Sequence, residues 1–514
     1  MIQCGKIFNA KDVAEIDKYT IEHEPITSLE LMERAAEKAT ARLMDILGYN
    51  PVFNIISGSG NNGGDGFVMG RLLAERGFEV TVYAVQVSDR LSPDCRESRR
   101  RYQEQGGMCV EVDSPEALVW REKGVVVDAL FGVGLNRPVT GWMGEVIRKI
   151  NDSGQPVVAI DMPSGLFGED NRENDGAIVR ADYTLTFQFP KLSLLFSENE
   201  CYAGRLEVLD IGLHPRALAE MPSHMYYLTW QAVASRLPRW SRFAHKGTLG
   251  HALLVAGSYE MQGAALLAAK GAIRSGAGLL TVHVPRALKS NLHLGVPEAL
   301  VDADRDENCF TGVADLSRYD AMGVGPGLGV TPETIKGLRE LLERWKGRCV
   351  LDADALNILA GDPERLKWLP EGAILTPHPK EFERLAGKSV NDFDRLNKLL
   401  IFAANYRVYV VLKGAHTAIA TPEGECYFNM TGNPGMAKGG SGDVLTGMIT
   451  ALLANGLPPL DAAIVGVYMH GMAGDMAAER HGMRGMTSGD IAEALGEGAL
   501  WADTQRRERS PITD

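Results

Sequence analysis

Short apolar runs recur along the N-terminal part of the chain, at residues 52–56, 80–85, 125–127, 157–160 and 183–187. Their length and β-branched content predict strands buried on both faces. Between them the apolar positions fall at helical spacing. SLELMERAAEKATARLMDIL, residues 28–47, carries them on one stripe with Ser28 placed to cap it, and residues 66–76 read the same way. Glycine-rich turns close the strands. Strand–helix alternation predicts a parallel sheet covered by helices. Ligands of such sheets gather beyond the carboxyl ends of the strands, where these turns fall.

The pattern lapses over residues 213–245, where Pro215, Pro222 and Pro238 punctuate a stretch that reads as a connection. A second alternation follows, with strands expected at 251–256, 279–284, 321–324, 350–351, 373–375 and 408–412, an alanine-rich helix over 263–275, and another helix beginning at Gly442. The organisation this predicts is two α/β domains, residues 1–220 and 241–503, with a linker at 221–240 and a polar tail at 504–514. A length of 514 residues fits that division, because one hydrophobic core rarely organises so long a chain.

Composition narrows the function classes. The formal net charge of −13 argues against a general polyanion binder, so no nucleic-acid partner is expected, and any phosphate must be held locally. The run Arg99-Arg100-Arg101 reads as a solvated helix face. Seven scattered cysteines show no CxxC or Cys/His spacing, which indicates neither a disulfide framework nor structural zinc. Residues 1–9 lack a signal-peptide core, and no uncharged span reaches membrane-crossing length. A cytoplasmic protein without a membrane partner is expected.

Two constellations carry candidate chemistry. Residues 57–66, SGSGNNGGDG, follow a strand and precede a helix. Glycines there would admit positive φ and free backbone amides to converge on an anion. The loop is neither a Walker motif nor a GxGxxG fingerprint. Two further strands end in aspartates: VVVDALFGVGLNRPV places Asp128 before a second glycine loop containing Arg137, and VVAIDMPSG places Asp161 before a tight turn.

The order NNGGDG, DALFGVGL, DMPSG and LTFQFPK resembles the N-terminal epimerase domain of the NAD(P)H-hydrate repair family over residues 1–215. The resemblance implies a Rossmann-like three-layer αβα sandwich in which Asn62, Asp128 and Ser164 coordinate a potassium ion. It implies that Asn61, Asn62, Gly63, Gly64 and Asp65, with Gly132, Val133, Gly134, Leu135, Asn136, Arg137 and Pro138, hold the hydrated cofactor. Asp161 is then the acid/base residue at the hydrated ring carbon.

The second constellation is NMTGNPGMAKGGSGDVLTG, residues 429–447, a glycine loop leading into an apolar helix. Amides at a helix N-terminus stabilise charge on a transferring phosphoryl group, and Asp443 beside them can accept a proton from an attacking hydroxyl. GVGPGLG, LDADAL, LTPHPKEFERL and VVLKGAHT add glycines, carboxylates and a lysine at other strand ends.

This set resembles the ribokinase-like superfamily and, more closely, the ADP/ATP-dependent NAD(P)H-hydrate dehydratase over residues 240–500. The resemblance implies a C-terminal ribokinase-like αβα sandwich in which Ala264, Gly327, His378 and catalytic Asp443 contact the hydrate. Lys413, Gly414, Ala415, His416, Thr417 and Gly442 would hold the nucleotide. His378…Glu381 takes the spacing of the superfamily's NxxE motif with His for Asn, and Glu381 is expected to act on a magnesium ion through water. Together the resemblances imply a bifunctional isomerase and lyase with NADHX, NADPHX and ADP or ATP as small-molecule substrates, potassium and magnesium as cofactors, and a homo-oligomeric state. The alternative is a ribokinase-like small-molecule kinase with a non-catalytic N-terminal binding domain; KGAHT and TPHPKE favour the dehydratase.

Overall fold

The computed structural model describes residues 4–47, 52–87, 90–121 and 124–509. It contains two compact units, one built mainly on Lys6–Ser223 and the other on the chain from His224 onward.

In the first unit seven parallel strands lie side by side in the order Met108–Val112, Val80–Val85, Val52–Ser57, Gly124–Ala129, Val157–Ile160, Tyr183–Phe187 and Arg205–Leu209. Counted along the chain this is 3-2-1-4-5-6-7, so the order reverses between Val52–Ser57 and Gly124–Ala129. The loops leaving those two strands diverge and open a crevice at their carboxyl ends. Side chains alternate across the sheet: Phe53 and Ile55 pack with Leu43, Phe67 and Tyr102 on one face, Ile56 with Val126 and Ile147 on the other.

Three local features differ from expectation. The edge strands Met108–Val112 and Arg205–Leu209 give no apolar run because they are only partly buried and carry Glu111, Arg205 and Glu207. The cap of helix Ser28–Leu47 is Thr27 rather than Ser28: the Thr27 amide donates to Glu30 Oε2 at 2.6 Å and the Glu30 amide to Thr27 Oγ1 at 3.2 Å, a reciprocal capping box. Ser28 instead donates to Asp94.

The third concerns the first glycine loop. Helix Asn61–Glu75 starts well before residue 66, and none of the five glycines between 57 and 66 has positive φ. Four of them, Gly58, Gly63, Gly64 and Gly66, are needed for close approach instead, whereas Gly60 faces open space. A Cβ at Gly63 would lie 2.0 Å from the Gly58 carbonyl oxygen, and one at Gly66 would lie 2.4 Å from Ser57 Oγ.

The second unit repeats the same order. Leu300–Ala303, Leu279–Val284, His251–Val255, Ala321–Val324, Arg348–Leu351, Ile374–Leu375 and Tyr409–Leu412 run parallel within an eleven-stranded sheet. Ala418–Ala420 and Cys426–Phe428 extend it antiparallel, and Met225–Tyr227 adds a parallel strand with Tyr226 stacked on Tyr427. That strand and helix Trp230–Arg236 occupy residues expected as linker; three residues are too few to register as a strand by periodicity. Helix Ser488–Arg509 likewise runs through most of the expected tail, whose last residues lie outside the described ones.

Helix Ser441–Ala454 crosses helix Gln262–Arg274 so closely that a Cβ at Gly447 would sit 1.8 Å from the Ala268 carbonyl oxygen. Among the described residues no helix is long and apolar enough to cross a membrane. The seven cysteines are free thiols.

Candidate active sites

The crevice of the first sheet opens into a cavity of about 1170 Å³. Asn61, Asn62, Asp65, the loop 132–137 and Asp161 line it, joined by helix Ala10–His23 and by Lys191. Gly63 and Gly64 face inward, toward Gly58 and Met32. Pro138 packs against Gly176 and is not part of the lining.

Asp161 follows strand Val157–Ile160 and adopts φ 66°, a left-handed conformation that costs a non-glycine residue about 1–3 kcal/mol. Its partner is Lys191, which is almost wholly buried. The ammonium donates to Asp161 Oδ1, to Thr186 Oγ1 at 2.9 Å and to the Phe187 carbonyl at 3.1 Å, which uses all three of its protons. Burial pushes Asp17, on helix Ala10–His23, up to about 6, and Asp161 adds to the shift. Burial also holds Asp65 well above the usual carboxylate range, with Asp161 and Asp17 adding to the effect. Asp161 and Asp17 thus share one buried ammonium, and Asp65 feels both carboxyls.

Beneath this cavity Asp128 and Ser164 are fully buried. Ser164 donates to Asp128 through its hydroxyl at 2.6 Å and through its amide at 2.8 Å. Burial raises the Asp128 carboxyl to about 6 against those bonds. Asn62 donates to the Phe131 carbonyl at 2.9 Å, and its own Oδ1 is buried without a hydrogen-bond partner among the described residues. An orphaned amide oxygen near a carbonyl, a hydroxyl and a carboxylate is an all-oxygen donor set, the kind that suits a hard cation.

In the second unit the polar groups also meet at strand ends. Asp352, directly after strand Arg348–Leu351, accepts from Lys413 Nζ at 2.9 Å and from Thr446 Oγ1 at 2.7 Å. Gly442 lies against this pair: a Cβ there would be 3.2 Å from Lys413 Nζ. Asp443 lies in the first turn of helix Ser441–Ala454, whose cap, Gly440, makes no side-chain cap bond. Asp443 therefore does not serve as the cap. Burial pushes it up to about 7, with Asp352 and Asp354 raising it and Lys413 opposing them.

Asp354 holds the loop 325–329 by accepting from the Gly329 amide at 2.8 Å. Gly327, at φ 60°, packs its Cα face on Ala264. Lys413 also donates its amide to the Pro377 carbonyl, which brings His378 alongside. Gly414 to Thr417 form a turn closed by the Thr417 hydroxyl, which accepts from the Gly414 amide and donates to the Gly414 carbonyl, with Ala415 exposed at the tip and His416 beside it.

Glu381 has a local role already. Its Oε2 accepts from the His378 amide at 2.8 Å while His378 Nδ1 accepts from the amides of Lys380 and Glu381, a capping box on helix Pro379–Ala386. Sequence reasoning missed His470, buried near Ser441 and lowered to about 4 by that burial, and Thr446. It also gave no role to Asp17 or Lys191, although Lys191 closes the LTFQFPK segment. Among the described residues no cluster of three His, Cys, Asp or Glu is arranged to hold a metal.

Comparison with known proteins agrees with this division. The NAD(P)H-hydrate dehydratase family model matches residues 252–497, and the model of the YjeF-related protein N-terminus matches residues 28–193. The bifunctional NAD(P)H-hydrate repair enzyme of Moorella thermoacetica is 37% identical, with 95% of this chain and 96% of the relative covered. That of Thermofilum pendens is also 37% identical, covering 94% of each. The crystal structure of the ADP/ATP-dependent NAD(P)H-hydrate dehydratase from Bacillus subtilis, co-crystallized with ATP/Mg2+, is 34% identical over 53% of this chain and 97% of that one, with a TM-score of 0.48.

Proposed function

The chain belongs to the family of bifunctional NAD(P)H-hydrate repair enzymes, and from that membership we propose that its first cavity interconverts the R and S forms of hydrated NAD(P)H. In the same reading the second site dehydrates the S form to NAD(P)H at the expense of ADP, giving AMP and phosphate. The observation that carries the reading is that each sheet places an aspartate beside a lysine and other carboxylates at its strand ends, Asp161 buried and paired with Lys191, Asp443 half-buried near the Lys413–Asp352 pair.

In the second site Asp443 takes the proton of the ring hydroxyl as that oxygen attacks the terminal phosphate of the nucleotide. Amides of the 439–443 loop and Lys413 offset the charge that develops. The ring nitrogen then expels phosphate, a better leaving group than hydroxide. Loss of a proton from the neighbouring ring carbon restores the double bond. Magnesium bound with the nucleotide would neutralise phosphate charge, and it commonly needs only one or two protein carboxylates. Glu381 Oε1 is the oxygen left for a magnesium-bound water, since Oε2 accepts from His378.

Residues 414–417, with Gly442, are assigned to the nucleotide, and Ala264, Gly327 and His378 to the hydrate. In the first site, the orphaned Asn62 Oδ1 with Asp128 and Ser164 supports a potassium site, whose charge would compensate the buried Asp128. The protein's small-molecule partners are then the hydrated cofactors and ADP; a homo-oligomer and a cytoplasmic location belong to the same proposal.

The test uses full-length protein with hydrated NADH. Recovery of NADH absorbance on adding ADP, and epimer interconversion without it, are the expected results. A stable phosphorylated product would instead make the second unit a kinase.

A further inference from the structure

We propose that Asp17 is a second catalytic residue of the epimerase cavity, the acid that protonates the departing hydroxyl while Asp161 acts as base on the water that returns. The proposal rests on reading this cavity as the epimerase.

Helix Ala10–His23 turns the stripe Ala10, Val13, Ala14, Asp17 and Ile21 toward the cavity. Four of these positions are apolar; Lys18 and Glu22 of the same helix also line the cavity but pair with each other at 3.9 Å, which leaves Asp17 as the helix's carboxyl lining the cavity without an ion pair among the described residues. It makes no hydrogen bond and no ion pair among the described residues, whereas Asp128, Asp161, Asp352 and Asp354 are all engaged. A half-buried carboxyl without a partner is costly as an anion, and it is accessible to a ligand as an acid.

Its charged neighbours are Asp161 and Lys191 across the cavity and Asp65 on helix Asn61–Glu75. Lys18 and Glu22 flank it on its own helix, and Arg90 and Arg137 stand on the cavity wall. Lys191 pairs with Asp161, not with Asp17. The two carboxyl groups are therefore differentiated, one paired with an ammonium and one bare, as an acid and base acting on one carbon require.

The chemistry balances. Hydration of the ring's enamine double bond puts the hydroxyl on the carbon beside nitrogen. Asp17 gives its proton to that oxygen, the carbon–oxygen bond breaks with its electron pair going to oxygen, and water leaves as the nitrogen lone pair forms C=N⁺. Water then adds to the other face, its proton passes to Asp161, and the π electrons return to nitrogen. Exchange of the proton from Asp161 back to Asp17 through cavity water resets the site, and nothing is consumed.

Full-length Asp17→Asn is assayed for epimer interconversion without ADP, so that dehydration does not run, by chromatographic separation of the two forms. Loss of a general acid predicts a fall in kcat of about 10²-fold or more. The wild-type rate should decline as pH rises through about 6, because the acid loses its proton, and that decline should vanish in Asp17→Asn and return in Asp17→Glu. Unchanged dehydration of the S form and an unchanged melting temperature certify folding. A kcat within tenfold of wild type, or a declining limb that persists in Asp17→Asn, overturns the proposal. If Asp17→Asn is active while Asp161→Asn is dead, only the role of Asp17 falls. If Asp161→Asn is also active, the reading of the whole cavity falls with it.

Discussion

In the first unit Lys191 pairs with Asp161; in the second Lys413 pairs with Asp352 and, among the described residues, Asp443 has no direct cation. The inventories otherwise match. Asp161 pairs with Lys191, Asp17 feels both, and Asp65 feels Asp17 and Asp161; Asp352 pairs with Lys413, and Asp443 feels both of them and Asp354. Both sheets also use the strand order 3-2-1-4-5-6-7. The same order of parallel strands and the same residue types thus give two electrostatic arrangements, set by which carboxylate the ammonium reaches. In the first site the paired aspartate is the expected acid/base residue and a different one titrates near 6. In the second the expected base itself titrates near 7, and Lys413 steadies a neighbour.

The sharpest way to break this comparison is to remove each base in turn. Asp443→Asn should lower dehydration by about 10²–10⁴-fold and leave epimer interconversion intact. Asp161→Asn should do the reverse. A variant that lost both activities would show that the two aspartates do not serve separate sites.

Removing the lysines should separate the sites next. Lys191→Met strands Asp161 in a buried position, and uncompensated buried charges cost about 3–5 kcal/mol. Thermal unfolding should show the loss, together with lost epimerisation. Lys413→Met should be milder in stability, because Asp352 keeps Thr446 as a donor. Its signature is kinetic: the ammonium lowers the Asp443 carboxyl, so without it the rising limb of dehydration, expected near pH 7 in the wild type, should move to higher pH.

The same titration fixes a sign for stability. A carboxyl raised in the folded state costs nothing while it is protonated in both states. Stability should therefore fall as pH climbs from the ordinary carboxylate range, about 4, to about 7, and level off above. Asp443→Asn should remove that part of the fall. Melting temperatures of the two proteins compared at pH 5 and pH 8 would show it as a gap that opens at the higher pH in favour of the variant.

How much of this was legible depended on whether a residue's neighbours in sequence carry its role. Strands buried on both faces declare themselves as apolar runs, and an aspartate directly after such a run, as with Asp128 and Asp161, marks the carboxyl edge where ligands gather. Asp443 follows a glycine run dense enough to be read alone. Other features needed the fold. Asp17 is one polar position among many on an amphipathic helix, and only the packing of that helix turns it into the cavity. Thr446 reaches Asp352 across a separation of 94 residues, which no local pattern encodes. The glycines of 57–66 are conspicuous as composition, but that Gly58, Gly63, Gly64 and Gly66 serve close packing and not positive φ is decided by what stands 2.0–2.6 Å from their missing Cβ atoms.

The smallest effect expected tests where the second site gets its remaining positive charge. Glu381 Oε2 caps helix Pro379–Ala386 through the His378 amide, and Oε1 lies 3.5 Å from His378 Nε2. Glu381→Ala should cost about 1 kcal/mol through the lost cap. Glu381→Gln keeps an amide oxygen for the His378 amide, so its melting temperature should stay near wild type. It loses only the charge. If that charge orients water on nucleotide-bound magnesium, the magnesium needed for half-maximal dehydration should rise by about tenfold in Glu381→Gln, in line with other outer-shell metal contacts. A magnesium requirement equal to wild type would confine Glu381 to capping. Asp354, whose Oδ2 holds the Gly329 amide, would then be the carboxylate to examine for the metal, and the second site would balance its charge by a different route from the one argued above.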